Sequence, residues 1–472
     1  MWTTTNTIVS ATLYPLYKIC LALLLLPNEY SFIAIVSIYF SIGYILANAG
    51  IGDTVLRFKN IEDDEKTLIF YINLAFSSVS TAFIFATAES VVVIFSLPQN
   101  FIFDIRLCSA VIFLLGISSF MRALIQKHSY FKFYSTVNIV KVIIDILLSL
   151  ILIYGGMGVR GFIFGSLLSL VLLVVLYAHF IYSNKLFTFK LKVEFRKLKR
   201  FIDFSVFVSV KQFITALGQK ADEIVLLKIL GSESLGTYSL GKEIALRPQQ
   251  LITQTCNHVI FSNASRVQND LETLRNFFMD SSKILSLIAI PIFSLLAFNV
   301  DALVHVLFKP EWYRTADTIK IISLGAIILS LTAGLVTSIL YVLDQHKKVV
   351  AVDIFTVVTL LLIYTYLPDE IEYFIIACIF LLMTSVKSCF LLIMCLKNLN
   401  ASVYEYCATI SRNVFASLAM CLFGFIIRDI LGFENLVILI ISMTLFYCFA
   451  IFKLDRDLVK LLIGQVMSGK KV

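Results

Sequence analysis

Charge is what this sequence has least of. Only 15% of its 472 residues are Asp, Glu, Lys or Arg, while 59% are hydrophobic. That is too little polarity to cover a water-soluble protein of this size. Glycine (19) and proline (7) are also scarce, so long disordered linkers are not expected. The nine cysteines are an odd number, scattered mostly in apolar segments as at Cys108, Cys378 and Cys448, and no CxxC pair occurs. Structural disulfides and zinc are therefore not expected, and buried free thiols are. The five histidines, His128, His179, His258, His305 and His346, show no ligand spacing, so metal chemistry finds no support. The apolar run from Ile19 to Leu26 flows into the next hydrophobic segment without a small-residue cleavage site, so a cleavable signal peptide is not expected.

What is present is length and apolar continuity. Mean hydropathy is +0.91, and runs of the roughly 20 apolar residues that span a bilayer recur along the whole chain. They predict an all-α polytopic membrane protein of about 14 transmembrane helices. The expected segments are 5–26, 31–50, 67–96, 101–126, 131–154, 160–182, 203–230, 234–262, 276–308, 317–343, 349–367, 371–396, 404–427 and 434–453. Segments 3 and 9 are long enough to tilt or to project beyond the hydrocarbon. Pro15, Pro248 and Pro291 fall inside segments 1, 8 and 9 and are expected to kink them.

Lys and Arg orient these segments. One set of alternate connections holds Arg57, Lys59, Lys66, Arg122, Lys127, Lys132, the run from Lys185 to Arg200, Arg266, Arg275, Lys347, Lys348, Lys397, Arg412 and the tail from Lys453 to Lys471. The other set holds Arg106, Arg160, Lys309, Arg314, Lys320 and Arg428. At about 25 against 6, the positive-inside rule places both termini in the cytoplasm of a bacterial inner membrane. The net charge of +8 then reads as topology and attraction to inner-leaflet lipids, and no nucleic-acid partner is expected.

The longest polar insertion interleaves apolar residues with Lys and Arg, as suits a segment lying on the membrane surface. It divides the chain into an N-terminal six-helix lobe (1–182), a cytoplasmic amphipathic basic linker (183–202), a C-terminal six-helix lobe (203–397), two last helices (398–453) and a cytoplasmic interfacial tail (454–472). Six is even, so the lobes share one orientation, as parallel repeats require. A weak echo accompanies this: Leu26-Pro27-Asn28-Glu29 connects segments 1 and 2, and Leu230-Gly231-Ser232-Glu233 connects segments 7 and 8. Segments 5 and 11 each carry one inward acid, Asp145 and Asp353.

Polar residues inside spans are expensive and face a cavity or one another. On segment 7, Lys211, Gln212, Thr215, Gly218, Gln219, Asp222 and Glu223 share one side at 100° per residue. On segment 8, Gly236, Ser239, Glu243, Arg247, Gln250, Gln254 and Asn257 follow steps of three and four. Such stripes cannot face lipid. Milder ones run through Thr7, Ser10, Tyr14 and Lys18, through Ser37, Ser41, Tyr44 and Asn48, through Asn138, Lys141, Asp145 and Ser149, and through Thr384, Lys387 and Ser388.

Two readings stand side by side for the charges. Glu243 with Arg247 and Lys141 with Asp145 stand at i,i+4 and are structural ion pairs in one reading, cavity groups in the other. Lys242 snorkels in the structural reading. Lys18 and Lys211 have no acid at i±3 or i±4 and are better candidates for cargo. Asp222 and Glu223 either carry a coupling proton or ion, or balance Lys220. The candidate cavity set is thus Lys18, Tyr14, Asn48, Lys141, Lys211, Gln212, Gln219, Arg247, Gln250, Gln254 and Asn257, and the ion-coupling set is Asp145, Asp222, Glu223 and Glu243. Lys and Arg suit a phosphate, while amides and hydroxyls suit sugars, so an anionic hydrophilic headgroup fits this set.

Ala49-Gly50-Ile51-Gly52-Asp53-Thr54-Val55-Leu56-Arg57-Phe58-Lys59, the run from Lys220 through Gly231 to Tyr238, and residues 325–348 carry a resemblance. In their order and spacing the chain resembles, over essentially its full length, the Wzx-type polysaccharide transporters of the multidrug/oligosaccharidyl-lipid/polysaccharide (MOP) exporter superfamily. Similar sequences tend to carry Gln where Leu56 or Arg57 stands here. The resemblance implies two six-helix lobes in a V, alternating access and a proton or sodium gradient as energy source, with no cofactor. It further implies an undecaprenyl-pyrophosphate-linked oligosaccharide as cargo for O-antigen, capsule or exopolysaccharide assembly. Polysaccharide polymerases and chain-length regulators are the partners it implies. A drug or organic-cation exporter of the same superfamily is the near alternative, but Lys18, Lys141, Lys211 and Arg247 favour an anion. A membrane polymerase or acyltransferase is the alternative from another class. It finds no large outer loop, nucleophile–base set or phosphate loop here, so no enzymatic activity is expected. A scaffold would leave the polar stripes without purpose.

Overall fold

The computed structural model describes residues 2–58, 61–188, 199–368, 371–432 and 435–454. Among these the chain is helical, with no strand. The helices are α1 (Trp2–Leu24), α2 (Pro27–Asn48), α3 (Ile51–Arg57), α4 (Asp63–Ile94), α5 (Phe101–Lys127), α6 (Phe131–Leu152), α7 (Val159–Ser183) and α8 (Lys199–Arg266). They continue with α9 (Leu271–Leu307), α10 (Thr315–Thr332), α11 (Leu335–Val342), α12 (His346–Thr365), α13 (Tyr373–Asn398), α14 (Val403–Phe425) and α15 (Leu436–Leu454). Of the expected linker, residues 189–198 lie outside the described residues, as does the tail from 455 onward.

Among the described residues, twelve helical stretches are long and apolar enough to cross a membrane. The 14 expected segments correspond to these twelve and to the two arms of α8, which are long enough but carry far more charge. Gly231 separates the arms: its φ of 79° and ψ of −173° break the helical path. Residues 199–230 and 232–266 rise about 48 and about 52 Å, more than the roughly 30 Å of hydrocarbon. Pro15, Pro248 and Pro291 lie within continuous helices.

Helix starts follow local chemistry. Pro27 occupies the first turn of α2, and the Glu29 carboxylate accepts from the Leu26 amide at 3.0 Å. Asp270 caps α9 by accepting from the Glu272 and Thr273 amides, and Ser402 caps α14 through the Glu405 amide. These side chains satisfy donors that helix geometry leaves open. The turn from α2 into α3 uses left-handed backbone at Ala49 and Gly50. At Gly50 a Cβ would stand 2.7 Å from the Ser205 carbonyl oxygen, so only glycine fits.

The helices group into two compact units. Unit 1 comprises Met1–Ser239 and Val357–Tyr373, and unit 2 comprises Leu240–Thr356 and Phe374–Val472. Unit 1 centres on Ile51, Val55, Phe120, Leu124, Ile125 and Tyr177 from α3, α5 and α7. Gly116 lies against Ser77 and Gly165 against Ser149, so α4 approaches α5, and α6 approaches α7, through small residues. Unit 2 centres on Phe278, Leu335, Val336, Ile339, Leu391 and Tyr406. Large side chains such as Val79, Val306, Phe355 and Phe415 point outward, as lipid contact requires and water does not allow.

Polar glue appears where helices pack. Asn413 of α14 donates its amide to the Lys283 carbonyl (3.1 Å) and to Ser286 Oγ (2.7 Å) of α9. Hydrogen bonds of this kind contribute about 1–2 kcal/mol in membranes. Asn413→Leu is expected to lower the unfolding temperature of the detergent-solubilised protein by a few degrees, while Ser411→Ala, whose hydroxyl bonds only within its own helix to the Ala408 carbonyl, leaves it unchanged. Equal melting of the two variants would show that this bond holds nothing together.

Candidate functional site

The polar residues expected to matter gather in three places, and each has its own geometry. The first is the hairpin of α8 around Gly231. On its first arm Lys211 and Gln212 are half-buried and Gln219 is exposed, while Asp222 (0% exposed) and Glu223 (2%) are fully enclosed. The stripe thus changes character along its length, from accessible cation and amides to sequestered carboxylates. Each carboxylate is satisfied by residues close in the hairpin. Tyr238 Oη donates to Asp222 Oδ2 at 2.6 Å. Lys220 Nζ donates to both Glu223 oxygens at 2.8 and 2.9 Å, and Ser239 Oγ reaches Oε2 at 3.4 Å. Tyr238 and Ser239 lie 16 residues beyond the acids they meet, so these bonds latch one arm onto the other. A buried carboxylate keeps its charge only when so surrounded.

On the second arm Glu243 and Arg247 are half-buried and Gln250 is exposed. Arg247 Nη1 donates to Gln250 Oε1 at 3.0 Å. Lys242 is buried, with its ammonium 5.1 Å from the centre of the Phe380 ring. Gln254 and Asn257 lie on α8, but their side chains fall outside the described residues.

The second place is the seam of α1, α6 and α7 in unit 1. Asn138 Nδ2 donates to Asn6 Oδ1 at 2.8 Å. One turn along, Lys141 Nζ meets Asp145 Oδ2 at 2.7 Å and also bonds the Tyr14 hydroxyl, while Ser166 Oγ donates to Asp145 Oδ1 at 3.0 Å. Tyr14 from one expected stripe and the Lys141–Asp145 pair from another therefore come together as one network. Lys18 is buried between rings, 5.5 Å from the centre of Phe162 and 5.7 Å from that of Tyr30. Asn48 is buried at the end of α2, where its Oδ1 accepts from the Gly52 amide at 3.4 Å.

The third place is in unit 2, where Lys387 of α13 and Asp353 of α12 pair at 2.6 Å. Among the described residues no three His, Cys, Asp or Glu side chains converge as a metal site.

Two further polar contacts escaped the helical projections because their residues read as loop charges. Arg160 Nε donates to the buried Asp104 at 2.8 Å, and Arg122 Nη2 donates to Tyr44 Oη at 2.9 Å. Arg122 had a usable signal, since it stands within the apolar run 101–126.

The chain matches known proteins over this same arrangement. A membrane protein from the capsule (cps) region of Klebsiella pneumoniae, itself uncharacterized, is 21% identical over 331 residues, 69% of this chain and 66% of its own length. The lipopolysaccharide biosynthesis protein WzxC of Escherichia coli is 18% identical over 70% of this chain and 66% of its own length. The chain thus spans about two thirds of the length of these curated relatives. Among solved structures, a lipid II flippase, MurJ, in an inward closed conformation superposes with a TM-score of 0.76 at 12% identity, covering 97% of this chain and 99% of that one. At that identity the likeness concerns the fold. The family model described as polysaccharide biosynthesis protein matches residues 20–317. That match runs from α1 into α10 and takes in both arms of the α8 hairpin, and the chain belongs to the polysaccharide biosynthesis protein family.

Proposed function

We propose that this protein is a flippase that carries an undecaprenyl-pyrophosphate-linked oligosaccharide across the bacterial inner membrane for surface-polysaccharide assembly. The observation that carries the reading is the α8 hairpin. In a chain of apolar spans, the first arm of α8 carries Lys211, Gln212 and Gln219 and the second carries Arg247 and Gln250, each at least partly accessible. Cations neutralise a pyrophosphate, and the amides replace water around sugar hydroxyls. The polyprenyl tail needs no site, because the bilayer solvates it. Family membership and the fold shared with a lipid II flippase support the same reading.

In this scheme both termini face the cytoplasm, and the cargo passes outward by alternating access, without group transfer. The flipped unit then passes to polymerases and chain-length regulators. A proton or sodium gradient supplies the energy, with Asp145, Asp222, Glu223 and Glu243 as the acids that couple it. The acids of the hairpin have a built-in means of responding. Protonating Asp222 or Glu223 weakens the bonds from Tyr238 and Ser239 that latch the arms.

Reconstitution into proteoliposomes with a fluorescent lipid-linked oligosaccharide, scoring headgroup exposure on each leaflet, tests the proposal. Transport is expected under an imposed proton or sodium gradient. Lys211→Ala and Arg247→Ala are expected to lower it about tenfold each, the equivalent of roughly 1.4 kcal/mol, with membrane insertion intact. A wild-type protein inactive under every gradient would end the flippase reading. Unchanged transport in the double variant would remove these two residues from the path.

A further inference from the structure

We infer that Arg122 and Tyr44 form a binding point for the phosphate of a polyprenyl-phosphate headgroup, inside unit 1 and apart from the α8 hairpin. This inference rests on the flippase reading and adds a residue to it.

Arg122 lies in α5 five residues before Lys127 ends the helix, about 7 Å along the axis. Phe120, Ala123 and Leu124 around it are buried in the core of the unit. A guanidinium in such surroundings is costly unless charged or hydrogen-bonding groups surround it. Four other cations of unit 1 have a carboxylate: Lys66 has Asp63, Lys141 has Asp145, Arg160 has Asp104 and Lys220 has Glu223. Lys127 instead donates to the Val55 and Phe58 carbonyls at the end of α3. Arg122 differs from these. Its hydrogen bond goes to the Tyr44 hydroxyl, and the titratable groups acting on it are the phenols of Tyr44, Tyr134 and Tyr177, none of them a carboxylate.

This leaves a positive charge and most of five N–H donors available to a ligand. Arg122 is half-buried rather than sealed, so a ligand can reach it. Gly52 lies beside it: a Cβ there would stand 3.7 Å from Nη2, in ordinary van der Waals contact. Tyr44 completes the site. Its oxygen accepts from Arg122, so its own proton is directed elsewhere and can be donated to the same anion. A planar fork of donors with a hydroxyl beside it matches tetrahedral phosphate oxygens. The position within one to two turns of a helix end matches the depth at which a lipid-borne phosphate sits, and Tyr134 and Tyr177 add ring surface.

The purified full-length protein, titrated with geranylgeranyl pyrophosphate and followed by thermal unfolding, tests this. The wild type is expected to gain several degrees with geranylgeranyl pyrophosphate. Geranylgeraniol, which lacks the phosphates, and inorganic pyrophosphate, which lacks the tail, should each do much less. Arg122→Gln is expected to weaken the apparent affinity at least tenfold and Tyr44→Phe several-fold, with Arg122→Lys in between. If Arg122→Gln does not fold, Arg122→Lys and Tyr44→Phe carry the comparison. Unchanged affinity in the foldable variants, absence of any wild-type shift, or equal shifts with geranylgeraniol would overturn the inference. An equal response to inorganic pyrophosphate would overturn the lipid assignment. Failure of the flippase reading reads out separately, as binding without transport in proteoliposomes.

Discussion

Lys141→Ala is expected to destabilise the folded protein by about 3–5 kcal/mol, the range found when one partner of a buried ion pair is removed. The side chains of Lys141 and Asp145 are only 14% and 7% exposed, and they meet at 2.7 Å. Ser166 already donates to the other carboxylate oxygen, and the nearby Tyr14 hydroxyl is neutral and cannot replace the charge of the ammonium. The orphaned carboxylate must take up a proton or draw water into the seam of α1, α6 and α7. Removing both charges, in Lys141→Met with Asp145→Asn, is expected to restore much of the loss, because the penalty lies in the unpaired ion. Lys66→Ala is the control: its partner Asp63 is 36% exposed, so the change should stay within about 1 kcal/mol. Denaturation of the solubilised variants in parallel measures all of these. If Lys141→Ala proves as mild as Lys66→Ala, the seam is wet, and Lys141 is free to serve cargo rather than structure.

Gly236→Ala is expected to cost about 3 kcal/mol or to abolish accumulation of folded protein. A Cβ at Gly236 would overlap the carbonyl oxygen of Pro27 and lie 2.7 Å from its carbonyl carbon. Both are backbone atoms, so no side chain can rotate away. Nor is the start of α2 free to retreat: Glu29 ties the Leu26 amide, and Ser232 Oγ donates to Asn28 Oδ1 at 2.7 Å. Overpacking of well-filled sites costs typically 1–3 kcal/mol, and a clash with pinned backbone belongs at the top of that range. Gly155→Ala is the matched control, since a Cβ there meets nothing within 4 Å. Comparable yield and melting temperature of the two variants would mean that the second arm of α8 does not press on α2 as described.

Most helices were legible from the chain because hydrocarbon leaves a spanning segment little choice. Each must satisfy its own backbone, so apolar length translates directly into helix. The expected 131–154 and 160–182 became Phe131–Leu152 and Val159–Ser183. Where ends moved, hydrogen bonding moved them. Pro27-Asn28-Glu29 and Asp63-Asp64-Glu65 read as connections by polarity, yet the Glu29 and Glu65 carboxylates accept from the Leu26 and Glu62 amides and these residues form the first turns of α2 and α4. Leu230-Gly231-Ser232-Glu233, expected as a loop, is a bend at one glycine, and helix continues on both sides.

The sequence by itself determined the all-helical class, most of the spans, the faces on which polar residues align and which helices carry them, because these depend on hydropathy and a period of 3.6 residues. Only the tertiary structure decided who meets whom: Tyr238 with Asp222 across the bend, Ser166 with Asp145, Arg122 with Tyr44. A helical projection assigns a residue to a face but says nothing of what that face meets. For a charge in a membrane the neighbour settles whether it is sealed in structure or left open to a ligand.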